Sequence, residues 1–180
     1  VSRSALQTDR KVRSIGNFVA KKIADRLKNL KKEQPGKYAE AWESLAPFVK
    51  IGAMEDEKFA EQVSDLILFA TTAEASGDDS EPIKAGNKQY TTLTSYQSRL
   101  SDPQSKRILY CTDEVAQAGA LSLWKSQGAE VLLAETVIDS QFLPWLEATS
   151  EQFKFQRVDA ELDDSLRDEK PEITDQDGET

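Results

Sequence analysis

The first third of the chain carries apolar residues at intervals of three and four positions. In the first run these residues are Val12, Ile15, Val19, Ile23, Leu27 and Leu30. Such spacing places the side chains on one face of an α-helix. The pattern predicts a long helix that ends at Pro35 and Gly36, because proline and glycine interrupt helices.

Two further helical faces follow Gly36. The second face comprises Tyr38, Trp42, Leu45 and Val49, with Phe48 as a further candidate. Because proline lacks an amide hydrogen and clashes with the preceding turn, we expect Pro47 to bend or break this helix. The pattern predicts a third helix from about Glu57. Its inward-facing residues would be Phe59, Val63, Leu66, Ile67 and Phe69.

The rest of the chain has a mixed pattern. Residues 73–89 contain glycine and proline and few bulky apolar groups, which predicts a mobile loop or insertion. Helical and strand patterns then alternate through TSYQSRL, RILYCT, a run with Leu121 and Trp124, EVLLAE, a run with Phe142 and Trp145, and FKFQRV. This order predicts an α/β fold, in which a long-helix coil precedes a small three-layer α/β/α subdomain with a short parallel or mixed sheet. From Asp159 onward acidic residues dominate and predict a disordered tail or linker.

Composition excludes several kinds of site. The 180 residues carry a net charge of −9, one cysteine and no histidine. A single cysteine cannot form an intramolecular disulfide, and the lack of histidine excludes Ser/His/Asp and Cys/His nucleophilic sites and the usual transition-metal ligands. No stretch approaches the roughly 18 apolar residues of a membrane helix, and no signal-peptide pattern is present. We therefore expect a soluble cytoplasmic protein with no metal site.

Charge is unevenly distributed. Residues 1–32 contain ten Lys or Arg and two Asp, whereas residues 159–180 contain ten acidic and two basic residues. The basic helix could bind nucleic-acid phosphates, but no helix-turn-helix, RNA-recognition or zinc motif accompanies it. A solvated helix face is the favoured interpretation. Gly119 and Gly128 do not form a phosphate-binding loop, so a dinucleotide enzyme is not expected.

Two apolar features have open interpretations. Cys111 follows Tyr110 in an apolar strand, which favours a small buried side chain over a reactive thiol. Phe142 and Trp145 flank Pro144 near the start of a predicted helix. Such residues most often pack inward, but an exposed aromatic patch there would suit a protein partner.

Seven short blocks occur in a recognisable order along the chain. They are SR..LQ at residues 2–7, the basic helix after it, GAMED at 52–56, LILFATT at 66–72, TTLTSYQSRL at 91–100, ILYCTDE at 108–114 and EVLLAETVID at 130–139. Together they resemble the middle domain of the heat-shock protein 90 chaperones, most like the bacterial form. The start at Val1, without methionine, is then expected to be an internal edge of a longer chain.

The resemblance also implies a division of the chain. Residues 1–8 would end the larger α/β subdomain of the middle domain, and 9–72 would form the helical coil. Residues 73–92 would be a flexible insertion, longer than the connection usual in the family. Residues 93–158 would form the small α/β/α subdomain, and 159–180 the acidic tail or linker.

The same resemblance implies a catalytic pair in the first block. Arg3 matches the arginine that reaches the γ-phosphate of ATP bound, with Mg²⁺, by the N-terminal domain of the same chain, and Gln7 matches an assisting glutamine. A planar, permanently charged guanidinium suits this role, because it can make paired hydrogen bonds to phosphate oxygens. Ser4 stands where the family commonly has Glu, so Arg3 would have no adjacent carboxylate.

The implied partners are client proteins and co-chaperones, in a parent protein that forms a homodimer. The family often has an acidic residue and an aromatic after the Ile-Asp pair, where this chain has Ser140 and Gln141. Phe142 and Trp145 are therefore the nearby candidates for client contact. The parent would be an ATPase, and this chain alone is not expected to be active.

Two other classes of function compete with this interpretation. One is a non-enzymatic adaptor or nucleic-acid-associated protein that uses the basic helix. The other is a small free-standing enzyme, which has little support without histidine or a glycine-rich loop.

Overall fold

The computed structural model describes residues 3–75, 81–102 and 104–160. Three helices come first: α1 (Arg3–Glu33), α2 (Pro35–Glu55) and α3 (Glu57–Val63). A 3-10 turn, Ser64–Leu66, follows α3. The third helix is therefore shorter than its apolar pattern indicated. Phe69 is buried as predicted, but it begins a strand.

Pro47 was predicted to bend or break α2, and of these two outcomes the break is wrong, because the helix continues from Pro35 to Glu55. A proline inside a helix costs about 3 kcal/mol, because it removes a hydrogen bond and crowds the preceding turn. Tertiary packing offsets this cost, since α2 buries most of one face. The buried residues of that face include Tyr38, Trp42, Ala46, Val49 and Ala53.

A six-stranded mixed sheet forms the second part of the molecule. Its strands are β1 (Phe69–Thr71), β2 (Ile83–Ala85), β3 (Lys88–Thr91), β4 (Arg107–Cys111), β5 (Leu132–Leu133) and β6 (Lys154–Arg157). The strand order is β2-β3-β1-β5-β4-β6. Strand β4 is parallel to both β5 and β6, whereas the other pairs are antiparallel. This arrangement confirms the predicted mixed sheet.

Strands β2 and β3 lie in the segment predicted to be a loop, so that prediction is wrong for these residues. The two strands form a hairpin in which Ile83 pairs with Tyr90, and both side chains are buried. Gly86 lies in the connection with φ of 59°, a conformation that glycine adopts without strain. Each strand contributes only one or two apolar residues, which is too short an alternation to stand out in the sequence.

Helices cover both faces of the sheet. They are α4 (Leu93–Ser98), α5 (Ala118–Ser126) and α6 (Asp139–Thr149). A large apolar cluster joins α2, α3 and α6 to one face, and a smaller cluster joins α5 to the other. Cys111 is fully buried in the smaller cluster, and burial raises the pKa of its thiol, as expected for a structural side chain. The α/β class is confirmed, while residues 161–180 of the predicted tail lie outside the described part.

Helix α1 is packed only toward its carboxyl end. Ala24 and Leu27 are buried, whereas Val12, Ile15 and Phe18 are each more than 60% exposed. The apolar face predicted from the sequence is therefore present, but its first half contacts solvent. Within the described ranges, no helix has the length and apolar character needed to cross a membrane.

Candidate functional site

Arg3 and Gln7 lie in the first turns of α1, and both are exposed. Residues four apart in a helix share a face, so the guanidinium and the carboxamide project from the same side. Nearby, the Thr8 hydroxyl donates a hydrogen bond to the carbonyl oxygen of Ser4 at 2.9 Å. Among residues 3–75, 81–102 and 104–160, no carboxylate forms a salt bridge with Arg3. The pair can therefore offer its hydrogen-bond donors to an external anion.

Phe142 does not lie on the surface. Its side chain is 0% exposed, and its ring stacks on Trp145 and Phe69 with centroid distances of 5.4 and 6.3 Å. The sequence prediction of a client contact at Phe142 is wrong, because the ring fills the core between α6 and β1. Trp145 is half-buried and lines a surface groove.

The structure also contains a buried ion pair that the sequence analysis missed. Lys50 of α2 and Asp139 of α6 are each 3% exposed, and the Lys50 ammonium donates to the Asp139 carboxylate. The ammonium lies 4.9 Å from the ring centroid of Phe69 and 5.6 Å from that of Phe142. Asp139 also accepts a hydrogen bond of 2.6 Å from the Thr136 hydroxyl. The pair therefore joins α2 to α6 with its polar atoms satisfied.

A signal for the burial of Lys50 was present in the sequence. Lys50 follows Trp42 by eight positions and Ala46 by four, and it precedes Ala53 by three. These intervals place it on the apolar face of α2. A lysine in that position requires a buried partner, because an unpaired charge is costly in the core.

No group of three or more metal-binding side chains occurs in the part of the chain that the structure describes.

Comparison with known proteins identifies the family. The sequence profile described as Hsp90 protein matches residues 1–179. The chain belongs to the Hsp90 family.

Bacterial Hsp90 relatives match nearly the whole chain. The chaperone protein HtpG of Porphyromonas gingivalis is 32% identical over 96% of this chain and 24% of that protein. HtpG of Bacteroides thetaiotaomicron is 30% identical over 92% of this chain and 23% of that protein. The chain thus spans about a quarter of the length of the curated relatives it matches.

A solved structure supports the same assignment at the level of the fold. The middle domain of a heat shock protein from Plasmodium falciparum superimposes on this chain with a TM-score of 0.63 at 22% identity. The superposition covers 83% of this chain and 59% of that chain. The α/β arrangement described above is therefore the fold of that middle domain.

In this Hsp90-family chain, a polar network ties the helical coil to the sheet. Lys31 of α1 forms a 2.8 Å salt bridge with Glu81, which also accepts hydrogen bonds of 2.7 Å from the amide and the hydroxyl of Thr92. Burial by itself raises the pKa of Glu81, but the hydrogen bonds from Lys31 and Thr92 outweigh it and hold the pKa at about 2. Glu81 is therefore ionised across the physiological range.

Proposed function

We propose that this chain is the middle region of an ATP-dependent molecular chaperone that assists protein folding. In this proposal Arg3 contacts the γ-phosphate of ATP bound by an N-terminal domain outside these 180 residues. The carrying observation is the family match over residues 1–179. The exposure of Arg3, which the sequence resemblance assigns to the catalytic position, supports the proposal further. The HtpG relatives, which are named as chaperones, support the general role.

Arg3 acts by charge and geometry. Negative charge is spread over the phosphoryl oxygens as the γ-phosphate is transferred, and a guanidinium can donate two parallel hydrogen bonds to them. Gln7, one turn further along α1, donates or accepts through its neutral carboxamide beside Arg3. ATP brings Mg²⁺, which neutralises phosphate charge when it is bound. Because Arg3 arrives with a separate domain, its contribution depends on docking of the two domains.

The test is a set of variants in the full-length protein. Arg3→Ala is expected to lower kcat for ATP hydrolysis about tenfold or more, because transition-state charge loses its partner. The Kd for nucleotide should change by less than about twofold, since the nucleotide pocket lies in another domain. Gln7→Ala should have a smaller effect, because a neutral hydrogen bond is weaker than a charge-assisted one.

A matched control separates position from charge. Arg13→Ala removes another exposed arginine of α1 and should leave kcat unchanged. Arg3→Lys keeps the charge without the paired donors and should recover only part of the rate. An unchanged kcat in Arg3→Ala would exclude the proposed role.

The remaining features of the proposal follow the family. We place the parent protein in the cytoplasm as a homodimer that binds client proteins and co-chaperones. Trp145 is retained as a candidate for partner contact because the residue is only partly buried. Light-scattering assays of an aggregating client, with and without the full-length protein and ATP, test the chaperone activity.

One observation favours a second candidate, a nucleic-acid-associated adaptor. The basic residues of α1 from Arg10 to Lys28 are all exposed. Phosphate contacts would weaken steeply as salt rises, because binding releases counterions. Fluorescence anisotropy with labelled single-stranded DNA tests this alternative. Binding is measured between about 50 and 200 mM salt, a roughly fourfold range over which phosphate-mediated binding should weaken steeply.

A further inference from the structure

A groove with a volume of about 650 Å³ lies between α3, the end of α2 and the end of α6. Its apolar lining consists mainly of Ala53, Met54, Ala60, Trp145, Leu146 and Phe153. Trp145, Met54 and Leu146 are only partly buried, so they retain apolar surface that a ligand could cover. Burial of such surface is the main source of affinity in peptide grooves.

The charged side chains that line this groove all have the same sign. Glu57, Glu61 and Asp65 are exposed along one wall, and no lysine or arginine occurs among the described residues that line the groove. Successive carboxylates of this set are four positions apart in the sequence. This spacing aligns Glu57 and Glu61 on one face of α3. The opposite wall is neutral and contains Thr149 and Gln152.

The carboxylates of this wall are largely available. Neither Glu57 nor Glu61 forms a salt bridge within the described part of the chain. Asp65 accepts one long hydrogen bond of 3.3 Å from the Thr94 hydroxyl. The nearby Lys31 ammonium contacts the backbone oxygen of Asp65, but its charge is paired with Glu81. The groove therefore presents negative charge beside an apolar floor.

We propose that this groove binds an extended cationic segment of a partner polypeptide. Apolar side chains of the segment cover Trp145 and Leu146. Its lysine or arginine side chains face Glu57 and Glu61. Charge complementarity selects this occupant over an acidic or neutral segment. The proposal rests on the proposed chaperone function in taking the partner to be a client polypeptide.

The first experiment uses three synthetic peptides of equal length with the ¹⁵N-labelled 180-residue chain. One alternates leucine and lysine, one replaces lysine by glutamate, and one replaces leucine by serine. The leucine-lysine peptide is expected to shift the amide resonances of Ala60, Glu61, Thr149 and Gln152, with a Kd that rises with salt. Equal binding of the leucine-glutamate peptide, or no shift at these amides, would overturn the proposal.

A double variant tests the charges directly. Glu57→Gln with Glu61→Gln should raise the Kd of the leucine-lysine peptide about three- to tenfold and remove most of its salt dependence. The matched control is Glu40→Gln with Glu114→Gln, which changes the net charge equally at exposed positions away from the groove. Equal Kd values for the two double variants would overturn the assignment to Glu57 and Glu61. Thermal unfolding of each variant checks that the fold is retained.

Two further outcomes keep the assignments separate. A second copy of the chain could insert its basic α1 face into the groove, and sedimentation would then detect self-association that the Glu57 and Glu61 changes abolish. That result would overturn the assignment to a partner polypeptide. Peptide binding does not require ATP, so the two proposals can fail separately. If the leucine-lysine peptide does not bind but Arg3→Ala still lowers kcat, the groove proposal alone is rejected. The reverse result rejects the catalytic role of Arg3 alone.

Discussion

In most proteins apolar side chains are buried and charged side chains are exposed. The first half of α1 and the contact between α2 and α6 each depart from this rule, in opposite ways. In α1, Ile15 and Phe18 are 64% and 62% exposed although they are apolar. Between α2 and α6, Lys50 and Asp139 are each 3% exposed although they are charged. The two regions therefore depart from the same rule, one by exposing apolar groups and the other by burying charges.

The difference shows that neighbouring elements decide where a side chain lies. Within the described part of the chain, no element packs against the first half of the apolar face of α1. In contrast, α6 brings a carboxylate to Lys50 on an otherwise apolar face of α2. Exposed apolar groups cost little stability when they simply remain in water. A buried charge, in contrast, depends on its partner, so the α2–α6 contact should be far more sensitive to substitution.

The largest effect is expected from removal of one member of the buried ion pair. Lys50→Ala should lower the free energy of unfolding by about 3–5 kcal/mol, because Asp139 is left buried without its counter-charge. Lys37→Ala, at an exposed position of the same helix, should change it by less than about 0.5 kcal/mol. Urea denaturation followed by circular dichroism measures both.

The double variant Lys50→Met with Asp139→Asn sharpens this prediction. It removes both charges while keeping side chains of similar size, so it should recover at least half of the stability lost in Lys50→Ala. If the double variant is less stable than Lys50→Ala, the pair is not held by mutual charge compensation.

The next effect compares the two halves of α1. Leu27→Ala should lower the free energy of unfolding by about 2–4 kcal/mol, because Leu27 is 7% exposed and its loss leaves a cavity. Ile15→Ala should change it by less than about 0.5 kcal/mol, because Ile15 already contacts water. Equal losses for the two variants would show that the first half of α1 is packed in solution.

The long helices and strands β4, β5 and β6 could be predicted from the sequence, whereas strands β1, β2 and β3 could not. The faces of α1 and α2 extend over several turns, β4 is a compact apolar run, and Phe153 and Phe155 alternate with polar residues at β6. Strands β2 and β3 have only three and four residues, and tertiary pairing rather than propensity makes them strands.

The candidate site was predictable only in part. Arg3 and Gln7 came from the resemblance, because an exposed arginine carries no distinguishing pattern of its own. Lys50 could have been found from its spacing, but its partner could not, because Asp139 lies 89 positions away. Phe142 was misplaced because the aromatic pattern of a short helix does not show which face meets the sheet.

A smaller effect is expected from the link between α1 and the sheet. The pKa of Glu81 is depressed from 4.5 to about 2, so its stabilising contribution is complete above pH 4.5 and is lost as pH falls toward 2. Glu81→Gln should lower the free energy of unfolding at pH 7 by on the order of 1 kcal/mol, after allowance for solvent screening. Between about pH 5 and about pH 3, an interval that lies around these pKa values, the free energy of unfolding should fall less steeply in the variant than in the parent.

Asp102→Asn serves as a control for this pH dependence, because Asp102 is exposed and forms no salt bridge in the described part of the chain. Its acid-unfolding curve should follow that of the parent. Parallel curves for the parent and Glu81→Gln would mean that Glu81 does not carry the low-pH transition.

The smallest effect on stability is expected where apolar side chains face water. Ile15→Ser with Phe18→Ser should change the free energy of unfolding by less than about 0.5 kcal/mol, since both side chains are more than 60% exposed. The same change should reduce binding of the dye ANS, which reports exposed apolar surface. A large loss of stability would contradict the exposure of this face. A small change in this double variant, together with a large loss of stability in Lys50→Ala, would establish that packing partners set the sensitivity of each region to substitution. Residue polarity alone would then not explain it.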